Sequence, residues 1–227
     1  MVAVISNGKV AARYAKCHLP NYGVFDEFRN FVPGDKTLVV RIHGADIGIA
    51  ICEDLWIDGG ITAQLAERKP GLVIVPNGSP YERAKDDVRL ELVTKRARQA
   101  SAPLVYVNMT GGQDDLVFDG DSIVVGADGS VIARAPQFED GIALVDIDVA
   151  TQTSSPDVVI SEDEVSIDRA LIPGVAVRLD DREEIWQAIV VGLRDYVEKN
   201  GFRSVVVGLS GGIDSALVAA LAVDALG

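Results

Sequence analysis

Ile47-Gly48-Ile49-Ala50-Ile51-Cys52-Glu53-Asp54-Leu55-Trp56 decides how the larger part of this chain is read. Ile47 to Ile51 is a short, near-continuous apolar run, the pattern of a strand buried on both faces. It runs straight into a cysteine and two carboxylates. A thiol at the end of such a strand is rigidly held, at the place where α/β sheets put their reactive groups. The same stretch also suits a small buried hydrophobe, the commoner fate of a free cysteine. Alone, it leaves both readings open.

Working outward, the upstream residues read as a strand over Met1 to Ser6, a turn at Asn7-Gly8 and a return through Val10 to Tyr14. A loop dense in functional side chains follows, Lys16-Cys17-His18-Leu19-Pro20-Asn21-Tyr22-Gly23-Val24-Phe25-Asp26-Glu27. Leu38 to Ile42 is the next strand, and Ala45-Asp46 a tight connection into the strand that ends at Cys52. Downstream, Ile61 to Arg68 has helical spacing and stops at Pro70-Gly71. The strand Leu72 to Val75 ends at Pro76-Asn77-Gly78-Ser79-Pro80, and Tyr81 to Ser101 is a long amphipathic helix. Leu104 to Val107 is a strand and Asn108 to Gly120 a loop. Ser122 to Val125, Val131 to Ala133 and Ile142 to Ile147 read as strands, with Asp128-Gly129 as a hairpin turn. Strand–helix–strand units closed by paired strands predict α/β layers.

Residues 151–178 are polar or acidic, carry Ser154-Ser155-Pro156 and Pro173-Gly174, and lack periodicity; they read as a linker between a first domain, 1–150, and a second beginning at 179. Asp181 to Asn200 is a helix: Asp181 and Glu184 have capping-box spacing, and Ile185, Ile189, Leu193 and Val197 form an apolar stripe. Ser204 to Val207 reads as a buried strand, Gly208 to Ser215 as a glycine-rich loop and Ala216 to Leu226 as a helix.

Composition narrows the function. The 227 residues carry a net charge of −13, against a binder of nucleic acid or of an anionic membrane, since both want a basic face. The 48% hydrophobic content suffices for a buried core. The two cysteines, Cys17 and Cys52, make no disulfide framework, there is no signal-peptide pattern, and no apolar run is long enough to span a bilayer. The chain reads as cytoplasmic.

Gly208-Leu209-Ser210-Gly211-Gly212-Ile213-Asp214-Ser215 lies between a strand and a helix. Adjacent glycines let the backbone wrap an anion, the helix N-terminus points free N–H groups at it, and Ser210 and Ser215 add hydroxyls. Asp214 does not favour a bare phosphate, so a carboxylate here points to a bridging Mg2+. The Gly-Lys-Ser/Thr ending of a Walker loop is absent. The pattern resembles the pyrophosphate loop of the ATP pyrophosphatase superfamily, which implies ATP as substrate, adenylylation of an oxygen, and displacement of AMP by a nitrogen or sulfur nucleophile.

A thiol nucleophile needs a lowered pKa or an adjacent base, and its intermediate an oxyanion site. A Cys–His pair with His18 or His43 would make a papain-like hydrolase, but nothing in the sequence orients either ring. The other partner is Lys16, in Lys16-x-x-Leu19-Pro20. That lysine, Cys52-Glu53-Asp54 after an apolar strand, Pro76 to Pro80, and Asn108 to Ser122 together resemble the nitrilase (carbon–nitrogen hydrolase) superfamily. The resemblance implies an αββα sandwich, Cys52 as nucleophile on a carboxamide, and Lys16 with the backbone N–H of Glu53 stabilising the oxyanion.

Both likenesses in one chain resemble the glutamine-dependent NAD synthetase family: a glutaminase domain, then an ATP-dependent domain amidating nicotinic acid adenine dinucleotide. The resemblance implies Tyr22, Ser79 and Lys85 as glutamine-binding residues and a homo-oligomer. The family's catalytic glutamate lies upstream of its lysine, whereas Met1 to Ala15 contains no Asp or Glu. The expectation is therefore an internal piece of a longer synthetase, weak in glutaminase activity by itself. A stand-alone nitrilase-type amidase and a non-catalytic truncated chain are the alternatives.

Overall fold

A computed structural model of the chain describes all residues except 164, 166–170 and 172–173. Of the Pro173-Gly174 pair expected in the linker, Pro173 lies outside the described residues. The hairpin opens the fold, with β1 (Val2–Ser6) antiparallel to β2 (Lys9–Tyr14) around Asn7-Gly8. β3 (Leu38–Ile42) and β4 (Ala45–Ile49) form a second antiparallel pair. Their turn is His43-Gly44, both at positive φ, and not the expected Ala45-Asp46, which already lies in the strand. From β4 the chain crosses over through α1 (Ile61–Glu67) to β5 (Leu72–Asn77), and through α2 (Lys85–Ala100) to β6 (Leu104–Asn108). β4, β5 and β6 are parallel, as helical crossovers require.

The seven-stranded sheet is completed on one side by β9 (Ile123–Val125) and β10 (Val131–Arg134), antiparallel. On the other side β11 (Val158–Val159) adds in parallel to β3. Alternation sorts the core into two faces. Val39, Val73 and Val75 meet α1 and α2 through Leu65, Val93 and Ala97 on one face. On the other, Leu38, Val40 and Ile49 meet Tyr14 and the β1–β2 hairpin. Each such buried side chain contributes about 1.5–3 kcal/mol relative to exposure. The expected α/β class holds.

Several local expectations change. The loop after β6 folds into a hairpin of β7 (Thr110–Gln113) and β8 (Leu116–Asp119). Ile142 to Ile147 forms no strand: Ile142 and Leu144 are exposed, and no described strand pairs beside them to hold an extended backbone. Ser204 to Val207 is likewise irregular, with Val206 exposed and no strand pairing beside it among the described residues. The long helix α3 (Asp181–Lys199) is capped by Asp180, whose side chain accepts from the Arg182 and Glu183 N–H groups, and not by Asp181. Of the expected stripe, Val197 is buried and Leu193 half-buried, whereas Ile185 and Ile189 are exposed; α3 buries faces toward two partners instead of one. Ala188 and Val191 face Val117 of β8 and Phe138, while Val190 faces Leu221 of α4 (Ile213–Leu226). Among the described residues no helix is long and apolar enough to cross a membrane.

Candidate active site

Past β4 the backbone reverses at Ile51 into a 3-10 turn over Cys52–Leu55. Cys52 itself sits at φ +42, in the left-handed region that a residue with a Cβ enters at a cost of about 1–3 kcal/mol. The residue is buried there, 7% exposed. Burial pushes its pKa up; the Lys16 ammonium and the Gly78 N–H pull it down, and Glu53 and Glu27 push it up again. The net shift is upward, so the resting group is a thiol that must give up its proton to react.

Lys16 follows β2 by two residues and is nearly buried, its side chain 10% exposed. Its Nζ donates to both oxygens of Glu27, at 2.6 and 2.9 Å. Glu27 is the residue that reading the sequence missed. Its signal was present: it is the second acid of Phe25-Asp26-Glu27, in the loop that Lys16 opens. The lysine is thus held by a carboxylate that follows it in the chain.

Tyr22 and Glu53 meet directly: the phenol donates to the Glu53 carboxylate at 2.9 and 3.0 Å. Burial, and then Glu53, push the Tyr22 pKa up to about 12, so it stays a donor. Ser79 is buried just past β5. Its N–H donates to Asn108 Oδ1 at 2.9 Å, and its carbonyl accepts from Arg89 Nη2 at 3.0 Å and Asn108 Nδ2 at 3.1 Å. Arg89 is itself fully buried and pairs with Asp119 at 2.6 Å. Arg89, Asn108 and Asp119 were not singled out from sequence; they are the frame under Ser79. Lys85 starts α2 and pairs with Glu82.

The structure therefore brings Lys16 and Glu27 into electrostatic reach of Cys52, with Glu53 and Tyr22 beside it. His18 is a structural acceptor instead, taking the Ile61 N–H at the start of α1 at 3.3 Å, and the His43 ring faces the Asp163 carbonyl. Neither contacts the thiol through any hydrogen bond among the described residues.

The glycine-rich loop is a separate feature. Gly208 to Gly212 is exposed, and α4 begins at Ile213, so Ile213, Asp214 and Ser215 form its first turn. Gly211 stands at φ +86, open to this residue type without strain. The Ser210 N–H donates to Ser215 Oγ at 3.2 Å, the two hydroxyls lie 3.1 Å apart, and Ser215 Oγ donates to the Gly212 carbonyl at 3.0 Å. The fold is thus a cup of backbone around a helix N-terminus.

Residues 1–156 match the family model described as carbon-nitrogen hydrolase, and residues 185–227 that described as NAD synthase. A glutamine-dependent NAD(+) synthetase of Xanthomonas campestris is 44% identical over 99% of this chain and 38% of its own length. One from Aquifex aeolicus is 41% identical over 100% of this chain and 42% of its own length. Among solved structures, a glutamine-dependent NAD+ synthetase from Acinetobacter baumannii in complex with adenosine diphosphate superposes with a TM-score of 0.82. It is 41% identical and covers 99% of this chain and 40% of that one. A nitrilase-superfamily amidase from Nesterenkonia superposes with a TM-score of 0.52 at 31% identity, over 59% of this chain and 49% of that one. The chain thus spans about two fifths of the length of the curated relatives it matches. Through residues 1–156, more than half of its length, the chain belongs to the carbon–nitrogen hydrolase family.

Proposed function

We propose that the chain carries the amide-cleaving half, and the first part of the ATP-using half, of a glutamine-dependent NAD synthetase. Residues 1–150 form the glutaminase domain, 151–178 the connection and 179–227 the start of the synthetase domain. Cys52 attacks the side-chain amide of glutamine. The carbonyl oxygen becomes an oxyanion, stabilised by the Lys16 ammonium and the Glu53 N–H; the proton given up by the thiol passes to the amide nitrogen, collapse breaks the C–N bond to give a cysteine thioester and ammonia, and water then releases glutamate and the free thiol. Glu27 keeps Lys16 aimed through two hydrogen bonds. Tyr22, Ser79 and Lys85 hold the glutamine backbone groups, Lys85 and the Ser79 hydroxyl on the carboxylate side.

The ammonia serves the ATP-dependent amidation of nicotinic acid adenine dinucleotide to NAD, with release of AMP and pyrophosphate. Gly208 to Ser215 cradle the phosphates. Among the described residues no three His, Cys, Asp or Glu side chains gather to hold a metal on their own. A lone Asp214 in the first turn of α4 fits Mg2+, which is commonly bound by one or two carboxylates plus substrate phosphates. There the ion would neutralise phosphate charge. The work is cytoplasmic and, in the longer protein, that of a homo-oligomer.

The observation that carries this reading is a strained, buried cysteine within electrostatic reach of a glutamate-bound lysine. A γ-diazoketone analogue of glutamine tests it without needing turnover. Mass spectrometry should find the adduct on Cys52 and not on Cys17, with glutamine protecting and Cys52→Ser abolishing it. Equal labelling of both cysteines, unaffected by glutamine, would count against the assignment.

A further inference from the structure

Asp54 is completely buried, yet no cation pairs with it among the described residues. Its charge is met entirely by hydrogen bonds. Oδ1 accepts from the Cys17 N–H at 3.0 Å and the His18 N–H at 2.9 Å. Oδ2 accepts from the Ile51 N–H at 3.0 Å and the Tyr14 hydroxyl at 2.8 Å. A buried carboxylate is tolerated when its lone pairs are filled in this way.

The addresses of those donors are informative. Ile51 immediately precedes Cys52. Cys17 and His18 immediately follow Lys16, and Tyr14 lies two residues before it. One carboxylate therefore ties the backbone that follows the lysine, and the Tyr14 side chain that precedes it, to the backbone in front of the nucleophile. No other side chain among the described residues hydrogen-bonds to both segments. Burial, and then the charge of Asp54, hold the Tyr14 phenol well above its ordinary pKa, so it remains a donor throughout the working range.

We propose that Asp54 is a positioning residue: its carboxylate sets the distance between the Lys16 ammonium and the Cys52 thiol, and so the reactivity of that thiol. This rests on the reading of Cys52 and Lys16 as the reacting pair. Asp54→Asn preserves size but supplies one acceptor oxygen where two are needed. Whichever way the amide turns, its NH2 faces either two backbone N–H groups or an N–H and a hydroxyl. The lysine segment then slips relative to the turn, and the ammonium lowers the thiol pKa less.

The test is the pH dependence of Cys52 alkylation by iodoacetamide in the 227-residue chain, read on the Cys52 peptide to exclude Cys17. Circular dichroism and urea unfolding establish that each variant is folded. Asp54→Asn should move the profile to higher pH, lowering the rate at pH 7.5 by about tenfold, as a thiol pKa raised by about one would give. Tyr14→Phe removes one of the four bonds and should give a smaller shift in the same direction. It decides the matter should Asp54→Asn not fold. The discriminating case is the double variant: on a Lys16→Met background, Asp54→Asn should add no further shift, since the distance it sets no longer matters. An undiminished additional shift there would overturn the proposal and leave Asp54 a structural residue. Profiles of folded Asp54→Asn and Tyr14→Phe that overlay the wild type would overturn it too. Alkylation needs no glutamine, so these failures stay distinct from failure of the amidase reading, which the diazoketone adduct reports.

Discussion

Lys16 Nζ donates to both oxygens of Glu27, 2.6 and 2.9 Å away, a carboxylate eleven residues further along the chain. Two opposing effects reach the Cys52 thiol through this pair. Lys16 is the strongest influence lowering its pKa, and Glu27 raises it by less than Lys16 lowers it. Placement of the lysine therefore outweighs direct repulsion from Glu27.

The consequence is a signed prediction. Glu27→Gln removes a negative charge near the thiol, yet it should slow Cys52 alkylation at pH 8 by about threefold to tenfold, because the less constrained ammonium spends less time near sulfur. Rates for the Cys52 peptide across pH 6–10 check this. Faster alkylation would mean that contacts other than Glu27 hold Lys16.

Gly34 explains how the lysine segment is supported from behind. Its N–H donates to the Lys16 carbonyl at 2.8 Å, and a Cβ built there would lie 2.4 Å from the Ala15 carbonyl oxygen. Backbone atoms cannot swing aside as a flexible side chain can. Gly34→Ala should therefore destabilise the protein by about 1–3 kcal/mol, the usual range for overpacking. Urea-denaturation midpoints measure it. Gly141→Ala, where a Cβ meets nothing within 4 Å, is the matched control and should move the midpoint little.

The frame under Ser79 depends on a buried ion pair. Arg89 and Asp119 are 0% and 2% exposed in their side chains, and the guanidinium also holds the Ser79 and Pro80 carbonyls. Removing one partner strands the other charge, so Arg89→Ala or Asp119→Ala should each cost about 3–5 kcal/mol. The double variant should cost clearly less than the sum, since the second change removes a charge already stranded. Chemical denaturation of the three variants checks the cycle.

The sheet was legible because its signals are local. Apolar runs such as Ile47 to Ile51 and Leu72 to Val75 mark buried strands regardless of what surrounds them, and the intervening helices carry their own periodicity. Ile142 to Ile147 carries the same kind of signal and forms no strand, because a strand also needs a neighbour that its own residues do not specify. Cys52 and Lys16 could be picked out by type and context. Glu27 carried a faint local signal in the loop that Lys16 opens, but Asp54 and Arg89 carried none, since each acts through a partner that only the folded chain brings near. Asp54 looks like any turn residue until the four donors it collects are seen, 3 to 40 positions away. The α3 stripe was legible only at Leu193 and Val197 for a related reason: the buried surface of α3 answers to two partners at once, and helical periodicity describes one.

Asp46 links the sheet to the segment around Ser154, and its protonation should mark the acid limit of the fold. Burial alone would raise its pKa, but hydrogen bonds from Arg41 and from the Ser154 and Thr153 N–H groups outweigh that and hold it below the ordinary carboxylate value. Arg41 reaches it twice, at 2.8 and 3.1 Å, and the Ser154 N–H at 2.8 Å. A carboxylate with a depressed folded-state pKa stabilises the protein above its unfolded value of about 3.9. That contribution is lost as pH falls through the lower folded value. The wild type should therefore keep its Asp46 contribution at pH 7 and lose it progressively below about pH 4. Asp46→Asn should be less stable at pH 7 by about 1.5–3 kcal/mol, the worth of hydrogen bonds to a charged group. Its deficit should shrink on acidification, since protonated Asp46 resembles the amide. Urea midpoints of both proteins at pH 7, 5 and 3 give the answer: curves that converge toward pH 3 support this assignment, and a deficit unchanged with pH would mean that the Asp46 carboxylate contributes no pH-dependent stability.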